Sequence, residues 1–137
     1  MNACYAPGIH FSDPVFRDLN GSEVKAMWHM LCERGTDLEV TFSDVTASGS
    51  TASARWEASY TLGGADRQIH NVITATFSLE NDMILDHRDD FDLWKWTRMA
   101  LGMSGTLLGW SGFVQNKVRE QANRQLQRFI DDHPEYQ

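Results

Sequence analysis

The stretch Ile69-His70-Asn71-Val72-Ile73-Thr74-Ala75-Thr76-Phe77-Ser78-Leu79 alternates without a break. Ile69, Asn71, Ile73, Ala75, Phe77 and Leu79 fall on one side, and His70, Val72, Thr74, Thr76 and Ser78 on the other. Side chains of a strand point to opposite faces with period two, so the run predicts a strand with one side toward a core. Outward from it, Ala54, Trp56, Ala58, Tyr60 and Leu62 alternate with Arg55, Glu57, Ser59 and Thr61, ending at Gly63-Gly64. Before these, Leu38, Val40 and Phe42 alternate with Glu39, Thr41 and Ser43, ending at Ser48-Gly49-Ser50. After Asn81-Asp82 a further strand runs through Leu85-Asp86-His87-Arg88-Asp89-Asp90-Phe91-Asp92. Long alternating runs joined by short turns are the signature of an antiparallel meander.

The last of these strands holds most of the plausible chemistry. Its parity puts Leu85, His87, Asp89 and Phe91 on one face, and Asp86, Arg88 and Asp90 on the other. The second row suits solvent, with Arg88 between two carboxylates. On the first, a histidine and an aspartate interrupt an apolar row, and burying them without partners is expensive. Asn71 is likewise the polar residue of an otherwise apolar face. It can donate to a ligand oxygen or satisfy a backbone group.

The flanks predict helices. Val24, Met27, Trp28 and Leu31 share one helical face, with Asn20 or Ser22 as N-cap and Gly35 just past the end. Before that helix, Pro7-Gly8 predicts a turn, and Ile9 and Phe11 a short strand continuing through Ser12 to Phe16. Arg17 to Gly21 is expected to be a polar turn. Asp92 is a natural N-cap for a helix beginning at Leu93. Gly102, Gly105, Gly109 and Gly112, spaced three or four apart, would bring another backbone close if helical, or hinge a flap if not. A last helix is expected over 113–132, with Val114, Val118, Ala122, Leu126, Phe129 and Ile130 along one side. The expected class is α+β, a strongly curved sheet with helices on one side, in a single domain over 1–137.

Composition narrows the partners. A net charge of −7 over 137 residues argues against nucleic acid, whose phosphates need a basic surface. Two cysteines are too few for a disulfide framework or a cysteine zinc site and fit a reducing compartment. No leader is read at the start, and Met99 to Val114, the greasiest segment, is too short for a membrane span. No membrane partner and a cytoplasmic location are therefore expected. His87-Arg88-Asp89 echoes a kinase loop, but no phosphate-cradling glycine loop accompanies it. No His-Glu-x-x-His spacing points to zinc and no Gly-x-Ser-x-Gly elbow to a serine hydrolase, so no metal is expected.

Phe11-Ser12-Asp13-Pro14-Val15-Phe16 with Gly21, then Trp28, Trp56 to Tyr60, Asn71, and His87-Arg88-Asp89 with Asp92 resembles the nuclear transport factor 2-like superfamily, in its SnoaL-like, ketosteroid-isomerase-like branch. The resemblance implies a cone-shaped fold, an antiparallel sheet wrapped around helices with a deep apolar pocket. It implies a homodimer that needs no cofactor and takes a hydrophobic small molecule. Isomerases, cyclases, dehydratases and epoxide hydrolases belong to such families, as do pocketed proteins with no known reaction. A recurrent pocket carboxylate matches Asp89, with His87 beside it. Asp13 matches the aspartate of the Phe-x-Asp-Pro segment.

Asp89 is thus the expected proton-moving group and His87 its partner, with Asn71 or Tyr60 stabilising charge on oxygen. Asp13, Trp28, Trp56 and Phe91 would line the site with them. His70, on the opposite strand face, is expected at a dimer surface. The alternatives are a binding module for an apolar ligand and a dimerising accessory domain whose cavity Trp28, Trp56 and Phe77 fill. The chain also starts after the family's N-terminal helix, which implies exposed core surface and low stability or unusual association. Thermal unfolding and sedimentation test this: a hyperstable, well-behaved monomer would contradict it.

Overall fold

The structure, a computed structural model, describes residues 1–62 and 66–137, without the side chain of Ser104. The expected turn at Gly63-Gly64 lies outside the described residues. After a 3-10 turn at Asn2–Cys4, the order is β1 (Tyr5–Ser12), β2 (Leu19–Asn20), α1 (Ser22–Arg34), β3 (Glu39–Ser48), β4 (Thr51–Leu62), β5 (Arg67–Glu80), β6 (Met83–Asp90), α2 (Leu93–Leu101), α3 (Met103–Leu108) and α4 (Gly112–Asp132). A second 3-10 turn, Pro134–Tyr136, follows.

The strands form one open sheet of six, in the order β2-β1-β6-β5-β4-β3. The meander β3 to β6 is antiparallel, as the alternation implies. The sheet as a whole is mixed, because β1 lies parallel to β6. That corrects the expectation of a purely antiparallel sheet. Period two dictates which side chains share a face but not the direction of a strand's neighbour. Between β5 and β6, Asn81 and Asp82 both adopt positive φ (50° and 60°), the backbone a two-residue hairpin needs.

Two irregularities interrupt the pairing, and the first shifts the parity. One extra residue, Leu85, bulges from β6 where the pairing passes from Leu79–Ile84 to Ser78–Asp86. Ile84 therefore packs partly against the core, while Leu85 is exposed, contrary to its expected place beside His87. In β1, the register breaks between Tyr5 and His10 around Pro7-Gly8, leaving Tyr5, Ile9 and Phe11 all buried. The strand is longer at its start than expected and stops at Ser12. Asp13 ends it, accepting hydrogen bonds from the Val15 and Phe16 amides at 2.6 and 2.5 Å, so residues 13–16 turn rather than extend. Part of the expected turn at Arg17–Gly21 is instead the short strand β2, anchored by buried Leu19.

Helix α1 is capped by the backbone of Gly21 (φ 55°), which donates to the Ile9 carbonyl, rather than by Asn20 or Ser22. Its buried residues are Val24, Ala26, Met27 and Met30; Leu31 is exposed, so the buried face is rotated from the expected one. The core joins α1, β1 and the C-terminal half of α4 through Phe11, Met27, Leu126, Phe129 and Ile130. Asp92 caps α2 by accepting from the Lys95 amide. Gly105 and Gly112 are helical, whereas Gly102 (φ 61°) and Gly109 end helices, and Gly105 and Gly109 bring α3 close to α2. A Cβ at Gly105 would overlap the Thr97 carbonyl, and one at Gly109 the Thr97 hydroxyl, so α3 sits directly on α2. α4 begins within a residue of its expected start.

The other end of the sheet is open. Every residue of β3 is exposed, including Val40 and Phe42, which alternation had turned toward a core. Among the described residues no helix is long and apolar enough to cross a membrane.

A buried histidine–aspartate pair as candidate functional site

His87 and Asp89 lie on consecutive inward positions of β6, only 3% and 4% exposed. Their burial is offset by a continuous run of hydrogen bonds. The Tyr5 hydroxyl meets His87 Nδ1 at 2.7 Å, and His87 Nε2 meets Asp89 Oδ1 at 2.9 Å. Trp56 Nε1 donates to the same carboxylate oxygen at 3.2 Å. An ionised carboxylate only accepts, so it orients His87 as the Nε2–H tautomer, with Nδ1 accepting from the Tyr5 hydroxyl.

Aromatic rings enclose this chain. Phe77 lies 4.5 Å from the His87 ring centroid, Phe11 meets it edge-on at 5.1 Å, and Trp28 stacks over it at 6.0 Å and 17°. Trp28 continues to Trp56 at 6.1 Å. Burial pushes the Tyr5 hydroxyl well above its ordinary pKa, and Asp89 adds to the shift; the Trp28 indole opposes it. Trp28 Nε1 nevertheless makes no hydrogen bond of proper geometry and is a buried donor without a partner among the described residues.

Asp13 belongs to this neighbourhood. Burial pushes its carboxyl up to about 6, against the lowering effect of the Phe16 and Val15 amides; Asp89 raises it further and His87 opposes. Arg119 of α4 donates from Nε to the Pro14 carbonyl at 2.8 Å, fastening the same turn from outside.

The structure thus brings together Asp13, Trp28, Trp56, His87 and Asp89. Phe91 is half-buried just past the end of β6. Tyr60 and Asn71 lie elsewhere. Asp89 pairs with Ala75, and Asn71 is four residues further along the same strand, roughly 13 Å away at strand spacing. The Tyr60 hydroxyl instead accepts from Trp96 Nε1 of α2 at 2.9 Å, and burial raises its pKa. The oxygen that meets His87 comes from Tyr5, which sequence reasoning passed over. Simple alternation puts Tyr5 on the face of Ile9 and Phe11; the turn expected at Pro7-Gly8 hid it by cutting Tyr5 off from that strand.

On the outer face, Asp86 pairs with His10 rather than Arg88, at 2.7 Å, and His10 reaches Asp18 at 3.1 Å. The Asp86 hydrogen bond is the main reason the His10 pKa is raised. His70 is also on that face, held to Glu57 at 2.7 Å. A shallow concavity of about 380 Å³ is on this outer side too, lined by Thr46, Ser53, Thr76 and Asp86 among others.

An open sheet packed against helices is the architecture this chain shares with solved ketosteroid-isomerase-like and nuclear transport factor 2-like folds. The chain belongs to the SnoaL-like domain family, which matches residues 1–87. Among solved structures it is similar to a candidate SnoaL-like polyketide cyclase from Jannaschia sp. CCS1, at 17% identity and TM-score 0.64, covering 72% of this chain and 74% of that one. An LEH-like epoxide hydrolase from M. tuberculosis is 14% identical with TM-score 0.61, covering 79% and 80%. A hypothetical protein of ketosteroid isomerase-like fold from Catenulispora acidiphila DSM 44928, in complex with trimethylamine, is 13% identical with TM-score 0.62, covering 71% and 76%. At these identities the likeness is one of fold. No curated protein matches the chain.

Tyr5→Phe removes the hydroxyl at His87 Nδ1 without changing ring volume. A stability loss of about 0.5–1.5 kcal/mol is expected in urea unfolding, the net worth of one hydrogen bond. An unchanged midpoint would mean that the contact contributes nothing.

The Asp13 carboxyl adds a pH dependence. Its folded pKa lies above the ordinary aspartate value near 4. Between roughly pH 4 and 6 the folded chain therefore holds a proton that the unfolded chain releases. This contribution is full below pH 4 and is lost as pH rises through about 6. Wild type should lose on the order of 1–2 kcal/mol relative to Asp13→Asn across that window, after discounting for solvent screening. The raised pKa of His10 has the same sign but acts at higher pH, through a group the Asp13 variant leaves intact. Parallel curves for wild type and Asp13→Asn would contradict the assignment.

Proposed function

We propose that the chain carries out cofactor-independent acid/base chemistry on a hydrophobic, ring-bearing or carbonyl-bearing small molecule. Asp89 is the group that moves the proton, and His87 holds it in position. The observation that carries this reading is the His87–Asp89 pair itself. Two titratable side chains are buried on an apolar sheet face and hydrogen-bonded to each other, beside a third, Asp13, whose pKa is raised to about 6. A buried His–Asp pair with a perturbed carboxyl, Asp13, beside it in an apolar setting is an arrangement that suits such chemistry. Tyr5, whose hydroxyl donates to His87 Nδ1, fixes the imidazole that holds Asp89. Isomerisation, cyclisation, dehydration and epoxide opening all fit this set, and the folds of a cyclase and an epoxide hydrolase among the similar structures are compatible with it.

Access to Asp89 runs past Trp56, whose ring is half-buried and whose N–H occupies one carboxylate oxygen. Beyond Trp56 lie its cross-strand neighbour Phe42 and the exposed Val40. In this reading Trp56 swings aside to admit an apolar ligand, and the bare apolar edge at β3 is where a homodimer forms.

A second reading has a specific observation in its favour. Trp28, Phe11 and Phe77 pack directly on His87, as they would in an accessory domain whose cavity is filled. Native mass spectrometry of protein purified from its host separates the two. A retained small molecule that Trp56→Ala releases supports the first reading, and a ligand-free protein that binds no apolar probe supports the second.

A further inference from the structure

His29, His133 and Glu135 come together on the far side of α1 from the buried pair. One ring nitrogen of each histidine and a Glu135 carboxylate oxygen lie within 4.8 Å of one another. We propose that these three residues form a zinc-type site, two imidazoles and one carboxylate, with a remaining position open to solvent.

The second contacts of each ring support this. His133 Nδ1 lies 2.7 Å from the Phe129 carbonyl, which only accepts, so Nδ1 carries the proton and Nε2 keeps its lone pair. His29 Nδ1 is engaged by the Tyr136 hydroxyl at 3.1 Å, which again leaves Nε2 for a metal. A histidine held by a carbonyl or hydroxyl through its other nitrogen is how metal ligands are oriented. Nitrogen donors with one carboxylate suit Zn²⁺ rather than Mg²⁺ or Ca²⁺.

Packing explains part of the cluster. The His133 ring stacks on Phe129 at 3.9 Å, and His29 meets His133 edge-on at 5.4 Å. It does not explain Glu135, which makes no hydrogen bond or ion pair among the described residues. Tetrahedral zinc places its donors roughly 3.4 Å apart, given bonds of about 2.1 Å. Closing the triad to that spacing takes side-chain rotation at Glu135 and His29, both exposed. The other paired histidines, His10 and His70, are bonded to carboxylates on the outer sheet face.

The test is zinc titration calorimetry on untagged, chelator-treated protein, with Co²⁺ spectra of the same samples. One Zn²⁺ per chain is expected. Glu135→Gln should weaken it at least tenfold and His29→Gln should abolish it, while His70→Gln changes nothing. Both altered ligands are exposed, so the variants fold. Cobalt should show d–d bands of a nitrogen/oxygen site without thiolate charge transfer. The proposal is overturned by no binding in the wild type, by unchanged affinity in Glu135→Gln and His29→Gln, or by thiolate bands from exposed Cys32.

Discussion

Asp89→Ala is expected to lower stability by about 2–4 kcal/mol, whereas Asp89→Asn should leave the fold nearly intact and remove turnover. The alanine change orphans two buried donors at once, the His87 Nε2–H and the Trp56 Nε1–H. Each buried donor left without a partner costs about 1–3 kcal/mol. Asparagine keeps an oxygen where Oδ1 stands, so both donors can still be met, but its amide cannot take a proton. Chemical denaturation of both variants, with turnover measured on any substrate found, separates scaffold from chemistry. Equal losses of stability would mean that the negative charge, not the acceptor geometry, holds the site. Full activity in Asp89→Asn would remove Asp89 from the chemistry.

Gly105→Ala is expected to destabilise by about 1–3 kcal/mol, the cost of overpacking a tight contact. The sign is the informative part. In an exposed helix this substitution gains about 1 kcal/mol, because alanine is the better helix former. Here the new Cβ would meet the Thr97 carbonyl, a backbone atom of α2 that cannot rotate away. Gly112→Ala is the matched control, since a Cβ there meets nothing within 4 Å. Thermal melts should move in opposite directions, or down and not at all, for the two variants. A stabilised Gly105→Ala would mean that α3 does not pack on α2 as described.

How much of this was legible in the sequence follows from what period two encodes. It gave the four meander strands, the inward face of β5 and the shared face of His87 and Asp89. It could not foresee Leu85, because one bulged residue reverses parity locally, nor the parallel partner of β1, because strand direction leaves no trace in alternation. Val40 and Phe42 alternate as core residues do, yet β3 is an edge strand with nothing packed over it. The Asp92 cap and the fourth helix were readable because their signals are local. The partnerships of the site were not. Asp86 looked like the partner of its neighbour Arg88, while the strand beside it supplied His10. Likewise His29 and His133 show no metal spacing along the chain and meet only through the packing of α1 and α4.

The parallel pairing of β1 with β6 also bears on how the molecule assembles. The meander consists of adjacent hairpins, whose ends are near one another in the chain and whose closure is quick. The Tyr5–His87 hydrogen bond joins residues 82 positions apart. Such a contact forms only after a long loop has been closed at an entropic cost that nearer contacts do not bear. The hairpins are therefore expected to form first, with β1 docking alongside β6 afterwards. Until it docks, His87 and Asp89 stand on a finished strand without Tyr5 and without enclosure from that side.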